Sequence, residues 1–360
     1  KLFLNMQTFS KSVEMLNKFN WPLWHWHIEV SSICTLKCPR CPRNELPETL
    51  VQDQLRLDFF KNSFTKDVIR QIERISFCGD DGDPIYAKEF LEIIQYLKQV
   101  KPTMNILIIT NGSYKKSEWW KKLVSYLNEH DEIHFSLDGW DQKSNQKYRV
   151  NCDWESIITG IKTVVGHAPT ITWAGIVFSF NEHNINMMKG MAIGLGMDKF
   201  QITQSTKFGY NYDHYNDSEG KDMYEPSIDN ISTQGRFDRK IFHLTNKRVK
   251  QDKAIQTNLD HFQSVHATET GIVPLCMIGT KGLYINSQGY FLPCCWVGNR
   301  YNFKTYSKFL IDDLNIYKNG IENVLNNDFW EEFFENFHNL MECKTKCAAH
   351  LVNKEYATNW

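Results

Sequence analysis

Apolar positions follow two alternating periods along the first part of the chain. Short runs rich in β-branched and aromatic residues predict β-strands. Between these runs, apolar residues recur three and four positions apart, which predicts amphipathic helices. The predicted strands are Trp24–Val30, Ile75–Cys78, Asn105–Thr110, Glu132–Leu137, Thr170–Phe180 and Lys199–Thr203. The predicted helices are Leu57–Glu73, Ala87–Val100, Ser117–Asn128, Trp154–Gly166 and Asn184–Leu195.

The alternation of six strands with helices predicts the fold class. Such alternation implies right-handed βαβ crossovers, and these crossovers produce a parallel sheet. Six units are too few for the closed eight-stranded barrel. We therefore expect an α/β fold built as a partial, open (β/α)6 TIM-like barrel.

The second part of the chain has a different pattern. Residues Gly209–Thr270 are polar and carry several tyrosines, which predicts a substrate-facing insertion or a connector. A hairpin that turns near Ser287–Gly289 follows, and then a helical run from Phe329 to Phe337. The predicted segments are a lead-in at 1–23, the partial barrel at 24–207, the insertion or connector at 208–271 and a small hairpin and helix domain at 272–360.

Composition and charge narrow the class of protein. With 41 basic and 42 acidic residues the net charge is −1, which gives no electrostatic footprint for nucleic acid. No apolar run approaches the ~18 residues of a membrane span, and the first residues do not form a signal peptide. Ten cysteines in 360 residues do not indicate a small secreted disulfide framework. We expect a soluble, cytoplasmic protein whose reduced cysteines bind metal.

Three cysteines stand close together directly after the first predicted strand, at Cys34, Cys38 and Cys41. In barrel-like α/β folds, active sites lie in the loops at the carboxyl ends of the strands. Three thiolates leave one iron of a cubane iron–sulfur cluster without a protein ligand, so that iron is open to chemistry. A zinc loop is the alternative, but structural zinc takes four ligands and no fourth follows at the usual spacing.

The pattern Cys-x3-Cys-x2-Cys after the first strand resembles the cluster loop of the radical S-adenosylmethionine (SAM) superfamily. The resemblance implies a partial (β/α)6 barrel and a 4Fe–4S cluster whose open iron binds the amino and carboxylate groups of SAM. It also implies reductive cleavage of SAM to methionine and a 5′-deoxyadenosyl radical, which abstracts a hydrogen atom from a substrate. One position departs from the family: Arg40 stands where an aromatic residue near the adenine usually precedes the third cysteine.

Three turns after predicted strands supply candidates for the SAM pocket. The turn Gly79–Pro84 takes the place of the family's Gly-Gly-Glu-Pro motif, with extra residues and with Asp83 for Glu. The other two turns bring small polar groups to the same edge of the sheet, where they suit ribose hydroxyls and the methionine carboxylate. The predicted SAM-binding residues are Gly79, Asp80, Gly82, Asp83, Thr110, Asn111, Ser136 and Asp138, with Ser136 preferred over Asp138.

A second group of cysteines has the number of thiolates that closes a 4Fe–4S cluster. Its members are Cys276, Cys294, Cys343 and Cys347. The spacing from Gly289 to Cys294 resembles the SPASM/twitch extension of radical SAM enzymes, and the lack of a dense middle cysteine run implies the shorter twitch type with one auxiliary cluster. Cys295 is an alternative to Cys294, and a zinc ribbon is an alternative to the cluster. Cys78 and Cys152 are interpreted as buried thiols.

The resemblance implies SAM and two 4Fe–4S clusters as cofactors, with electrons supplied by a donor such as flavodoxin or ferredoxin. The expected function is oxidation, or another radical modification, of a small molecule with help from the auxiliary cluster. One alternative is a SPASM-type peptide-modifying maturase. Another, from a different class, is a non-catalytic zinc-binding interaction protein. No residue pattern identifies the substrate.

Overall fold

The computed structural model describes residues 18–204, 239–247, 272, 274–277, 279 and 282–347. The predicted lead-in is therefore described only from Lys18, and most of the tyrosine-rich stretch Gly209–Thr270 lies outside the described residues. Within these ranges, no helix combines the length and the apolar character that crossing a bilayer requires.

A nine-stranded sheet organises the described part of the chain. Its strands are β1 (His25–Ile28), β2 (Arg74–Phe77), β3 (Asn105–Thr110), β4 (Glu132–Ser136), β5 (Thr170–Val177), β6 (Lys199–Gln204), β7 (Arg239–His243), β8 (Leu283–Ile285) and β9 (Phe291–Leu292). The spatial order is β7-β6-β5-β4-β3-β2-β1-β8-β9, and β1 to β6 are parallel to one another. The predicted α/β fold with six parallel strands is confirmed.

Helices connect the parallel strands and form most of the C-terminal part. They are α1 (Pro42–Glu45), α2 (Lys66–Gln71), α3 (Phe90–Val100), α4 (Ser117–Val124), α5 (Gln142–Asn145), α6 (Trp154–Val164), α7 (Ile185–Gly194), α8 (Phe303–Tyr306), α9 (Ile316–Leu325), α10 (Phe329–Asn336) and α11 (Met341–Lys346). One face of each parallel strand packs into an apolar core with these helices. Trp26, Phe77, Ile108 and Phe135 lie on that face and are fully buried.

The helix predicted over Leu57–Glu73 is interrupted. Phe59–Ser63 forms a π-helical turn, and α2 begins only at Lys66. Between them, Thr65 has a φ of 61°, a left-handed conformation that is unfavourable for a β-branched residue. Its hydroxyl accepts a hydrogen bond from the Val68 amide at 3.5 Å and so caps α2. The prediction of one continuous helix is wrong because the apolar period runs on across this break.

The predicted C-terminal hairpin is present, and it belongs to the barrel sheet. β8 pairs in parallel with β1, with Leu283 opposite Trp26, and pairs antiparallel with β9. Gly289 in the connecting turn has a φ of 84°, a conformation that glycine adopts without a Cβ clash. Because the hairpin continues the sheet from β1, it places the C-terminal part beside the strand that precedes the cysteine loop.

A buried ion pair joins α3 to the segment before β4. Lys98 Nζ lies 2.7 Å from the Asp131 carboxylate, and both side chains are buried. The Asp131 carboxylate also accepts hydrogen bonds from the Ile106 and Asn128 amides, each at 2.7 Å. Removal of the ammonium group therefore leaves a buried carboxylate without its counter-charge.

We expect Lys98→Met to lower the free energy of unfolding by about 3–5 kcal/mol, because the Asp131 charge stays buried and uncompensated. Urea unfolding of the anaerobic protein, followed by circular dichroism, measures this change. The matched control is Lys318→Met, which removes an exposed ammonium 2.6 Å from Asp312 and should leave the unfolding midpoint unchanged. Equal midpoints for wild type and Lys98→Met would show that the buried pair does not stabilise the barrel.

Candidate active site

The cysteine loop follows β1 and is fixed by neighbouring loops. The Lys37 amide donates to Val150 O at 3.0 Å, and Asn151 Nδ2 donates to Thr35 O at 2.8 Å. Within the loop, the Cys41 amide donates to Cys38 O at 3.2 Å, and α1 begins at the next residue. These bonds set the positions of the three cysteines relative to the edge of the sheet.

The environment of the three thiols favours a metal centre. Cys38 is buried, whereas Cys34 and Cys41 are half-buried. The pKa values of Cys34 and Cys38 are both raised to about 12, mainly by burial; the charge of Asp83 contributes for Cys34, and that of Cys41 contributes for Cys38. Thiols with such pKa values become thiolates near neutral pH only when a cation binds them. The loop therefore fits a cationic metal centre.

A single metal ion and an iron–sulfur cluster place different demands on the three thiols. In the part of the chain that the structure describes, no three or more His, Cys, Asp or Glu side chains converge on a position for one metal ion. A cubane cluster makes a different demand, because each of its thiolates binds a separate iron atom. The assignment of Cys34, Cys38 and Cys41 to an iron–sulfur cluster stays a prediction at this point.

The turn Gly79–Pro84 lies directly against the cysteine loop. A Cβ atom on Gly82 would lie 2.0 Å from Ser31 O, so only glycine permits this approach. The Glu29 carboxylate, just after β1, accepts hydrogen bonds from the Asp81 amide at 2.7 Å and the Gly82 amide at 3.1 Å. On the other side, Cys41 Sγ lies 3.9 Å from Asp80 O. The predicted SAM-binding turn and the cluster loop therefore form one structural unit.

Asp83 connects this turn to the end of β3. Its carboxylate accepts hydrogen bonds from Thr110 Oγ1 at 2.8 Å and from the backbone amide and Nδ2 of Asn111, each at 2.6 Å. Asn111 Nδ2 also lies 3.6 Å from Cys34 Sγ. Burial raises the pKa of Asp83 to about 6 in spite of these hydrogen bonds. The structure thus brings together Asp83, Thr110 and Asn111 beside Cys34, and their contact with SAM stays a prediction.

Ser136 and Asp138 differ in what their side chains do. The fully buried Asp138 carboxylate accepts hydrogen bonds from Arg149 Nε at 2.6 Å and from the Ile176 amide at 2.7 Å. Ser136 ends β4 and is half-buried. Asp138 thus supports the surrounding loops, and the contact of Ser136 with SAM stays a prediction.

Two arginines, the half-buried Arg149 and the buried Arg300, lie beside the site and were not predicted from the sequence. Arg149 forms its ion pair with Asp138 and also hydrogen-bonds the Cys38 thiol, whose pKa it lowers against the larger effect of burial. Arg300 pairs with Asp81 in the Gly79–Pro84 turn. Neither lies in a recognisable motif, so only the tertiary fold reveals them. Arg40, the residue that departs from the family pattern, is also buried and lies 3.6 Å from Glu45.

The second face of the parallel strands, opposite the apolar core, is polar. His27, Ser76, Leu107, Glu132 and Thr170 are consecutive partners across β1 to β5, and all are buried. The hydroxyls of Ser76 and Thr170 have no hydrogen-bond partner within the described residues. Buried hydroxyls of this kind require a partner such as water or a ligand. This inner face therefore offers a polar binding surface.

Basic groups surround one carboxylate on the inner face. Glu132 lies 3.1 Å from Lys199, 3.6 Å from Arg74 and 3.4 Å from His134. Burial alone would raise the pKa of Glu132, but the hydrogen bond from His134 and the charges of Arg74 and Lys199 together hold that pKa well below its usual range. Two permanent cations thus face one carboxylate, and the local charge is positive.

A separate cavity in the C-terminal part is lined by four cysteines, Cys276, Cys294, Cys343 and Cys347. Pro274, Leu275, Val297, Phe333 and Phe337 complete an apolar lining. Burial holds the pKa of Cys276 well above its usual range. The pKa of Cys343 is also raised well above its usual range; the hydrogen bond with Cys347 is the largest cause and burial is the second. Among the described residues the lining includes Cys294 but not Cys295. The four thiols that line the cavity are the number that a closed 4Fe–4S cluster requires, since each thiolate of such a cluster binds a separate iron atom.

Two family models match the chain, one over each cysteine-bearing part. The family model described as the radical SAM superfamily matches residues 28–188, which include the cysteine loop and strands β2 to β5. The model described as the SPASM iron–sulfur cluster-binding domain matches residues 276–348. The chain carries a radical SAM domain and a SPASM domain. Its cofactors are therefore SAM and iron–sulfur clusters, and the predicted family is confirmed.

Individual relatives are distant in sequence. A GTP 3′,8-cyclase of Limosilactobacillus fermentum is 19% identical over 310 residues, which are 83% of this chain and 86% of the relative. The crystal structure of Streptococcus suis SuiB bound to S-adenosylmethionine covers 90% of this chain and 68% of SuiB, with 15% identity and a TM-score of 0.50. The structure of native anSMEcpe with bound AdoMet has a TM-score of 0.49 and 15% identity, and the match covers 92% of this chain and 87% of anSMEcpe. The similarity to SuiB shows a shared fold.

Proposed function

We propose that this radical SAM protein cleaves SAM at Cys34, Cys38 and Cys41, and modifies a polar substrate with help from an auxiliary cluster at Cys276, Cys294, Cys343 and Cys347. The observation that carries the proposal is the presence of two different cysteine centres, one with three thiols and one with four. When bound, the clusters and SAM supply the electron and the 5′-deoxyadenosyl radical. The protein supplies the pocket, the substrate's orientation and a proton acceptor.

The arrangement around the loop supports the SAM site. Three chain segments contact the cysteines: the Gly79–Pro84 turn, Thr110–Asn111 at the end of β3, and Arg149. Ser136 ends the next strand, β4, at the same edge of the sheet. They offer backbone groups, an amide, a hydroxyl and a guanidinium, which match the polar groups of an amino acid joined to a nucleoside. The carboxyl ends of β1 to β4 form one edge of the sheet because the strands are parallel.

The polar inner face supports a polar substrate. On this face the buried hydroxyls of Ser76 and Thr170 have no hydrogen-bond partner among the described residues, whereas Arg74 and Lys199 lie at the amino ends of β2 and β6, away from the edge that carries the cysteine loop. In the proposed oxidation, a hydrogen atom, a proton and an electron leave the substrate. His134, 3.4 Å from Glu132 and half-buried on the same face, is the base that we propose for the proton. The names of a GTP 3′,8-cyclase and SuiB do not decide between a small molecule and a peptide.

The proposed function predicts the metal content and the chemistry of the purified protein. After anaerobic reconstitution we expect about eight irons and eight sulfides per chain, the content of two 4Fe–4S clusters. With dithionite and SAM, the protein should form methionine and 5′-deoxyadenosine. Metal analysis and chromatography of the products measure these outcomes. A chain that carries only zinc and leaves SAM intact would contradict the proposal and support an interaction protein instead.

A further inference from the structure

The Gly79–Pro84 turn is longer than the family motif, and the structure gives one of its extra residues, Asp81, a specific partner. Arg300 Nε lies 2.9 and 2.8 Å from the two carboxylate oxygens of Asp81, and Arg300 Nη2 lies 2.6 Å from Oδ1. Both side chains are largely buried. Arg300 belongs to the C-terminal part, just before α8, whereas Asp81 belongs to the barrel. The extra residue therefore forms a link between the two cysteine-bearing parts.

Arg300 also binds the segment that follows the cysteine loop. Its Nη1 donates to Leu46 O at 2.7 Å and to Thr49 Oγ1 at 2.6 Å. One guanidinium group thus fixes the position of the Gly79–Pro84 turn relative to the chain directly after α1. The planar guanidinium group can bind several acceptors at once, because its N–H donors point in fixed directions.

The charge of the turn explains why an arginine is needed. Glu29, Asp80 and Asp81 lie close together, and the Glu29 carboxylate already receives the Asp81 and Gly82 amides and the Tyr284 hydroxyl. Without Arg300, the Asp81 carboxylate would stay buried beside Glu29 with no counter-charge from the C-terminal part. Such an arrangement is unfavourable, and the turn would relax to expose Asp81 to water.

We propose that Arg300 is a positioning residue for SAM, which holds the Gly79–Pro84 turn in its cofactor-binding conformation from the C-terminal part of the chain. The proposal rests on the proposed function, because it takes this turn as part of the SAM site. It assigns to the C-terminal part a role in SAM binding, in addition to the auxiliary cluster.

The test compares Arg300→Gln with Arg70→Gln in the reconstituted protein. Arg70 forms an exposed pair with Asp67 at 2.8 Å, so the control removes the same group from an Arg–Asp pair outside the site. We expect Arg300→Gln to raise the Kd for SAM, measured by equilibrium dialysis, at least about tenfold, since a charged hydrogen-bonded group is lost. Iron content and the rate of 5′-deoxyadenosine formation at saturating SAM should stay within about twofold, as for Arg70→Gln.

Two further variants separate positioning from general stability. Asp81→Asn added to Arg300→Gln removes the unpaired buried charge, so the double variant should bind SAM more tightly than Arg300→Gln alone. Arg300→Lys keeps the charge with fewer hydrogen bonds, and its Kd should lie between those of wild type and Arg300→Gln. If Arg300→Gln does not fold, Arg300→Lys carries the test.

Three results would overturn the inference. The first is a wild-type Kd for SAM in Arg300→Gln, or in Arg300→Lys where that variant carries the test. The second is a loss of iron, or of the saturated rate, without a change in Kd, which would show a structural role. The third is a double variant that binds SAM more weakly than Arg300→Gln. Failure of the wild-type protein to bind or cleave SAM would instead contradict the proposed function, so the two failures are distinguishable.

Discussion

Replacement of Cys34, Cys38 and Cys41 together by alanine is expected to abolish the formation of 5′-deoxyadenosine from SAM. The loop supplies all three thiols of the proposed open centre. Cys78 follows β2 and is half-buried, not buried as predicted, and burial raises the pKa of its thiol well above the usual value. Without a cluster there is neither an iron to bind SAM nor a source of the electron.

The same variant has a second measurable consequence. Iron content should fall from about eight to about four per chain, because the C-terminal centre has its own four cysteines. The expected result is therefore a folded protein with half of its iron and no activity on SAM. Anaerobic iron analysis and chromatography of dithionite-treated samples with SAM measure both quantities on one preparation.

Cys152→Ala is the matched control for this prediction. Cys152 is a buried thiol whose sulfur accepts a hydrogen bond from Asn145 Nδ2 at 3.3 Å, and it belongs to neither cysteine centre. This variant should keep about eight irons and the wild-type rate. If the triple variant forms 5′-deoxyadenosine faster than a sample without protein does, the loop is not the catalytic centre.

The fold was largely predictable because one face of each strand is continuously apolar. The bounds of β3 agree with the prediction at both ends, since Ile106, Ile108 and the residues around them alternate between the core and the inner face. The break at Thr65 was not predictable in this way. It depends on one residue with a positive φ, and hydrophobic periodicity carries no information about the φ of a single residue.

The candidate site was also predictable only in part. Short spacings, such as those among Cys34, Cys38 and Cys41, are visible in the sequence. Contacts between distant residues are not, and Arg300 and Asp81 are separated by 219 positions. Glu29 is partly predictable from the sequence. The alternation of His25, His27 and Glu29 indicates a polar face of β1, but it does not indicate which amides Glu29 binds.

Replacement of Cys343 and Cys347 by alanine is expected to remove the auxiliary centre and to leave SAM cleavage intact. These two cysteines belong to α11 and the residue directly after it, and they supply half of the thiols that line the C-terminal cavity. Two thiolates do not retain a cubane that needs four protein ligands, so iron should fall from about eight to about four per chain. The three cysteines of the barrel loop are unchanged, and 5′-deoxyadenosine should still form.

The neighbouring cysteines Cys294 and Cys295 provide the sharpest control for this assignment. Cys294 lines the cavity and is buried, whereas Cys295 is half-buried and is not among the lining residues. Cys294→Ala should therefore lose the auxiliary cluster as Cys343→Ala/Cys347→Ala does, and Cys295→Ala should keep about eight irons. The opposite pattern, with iron lost only in Cys295→Ala, would transfer the ligand role to Cys295 and contradict the geometry of the cavity. Retention of all iron in the Cys343 and Cys347 double variant would contradict the four-cysteine centre itself.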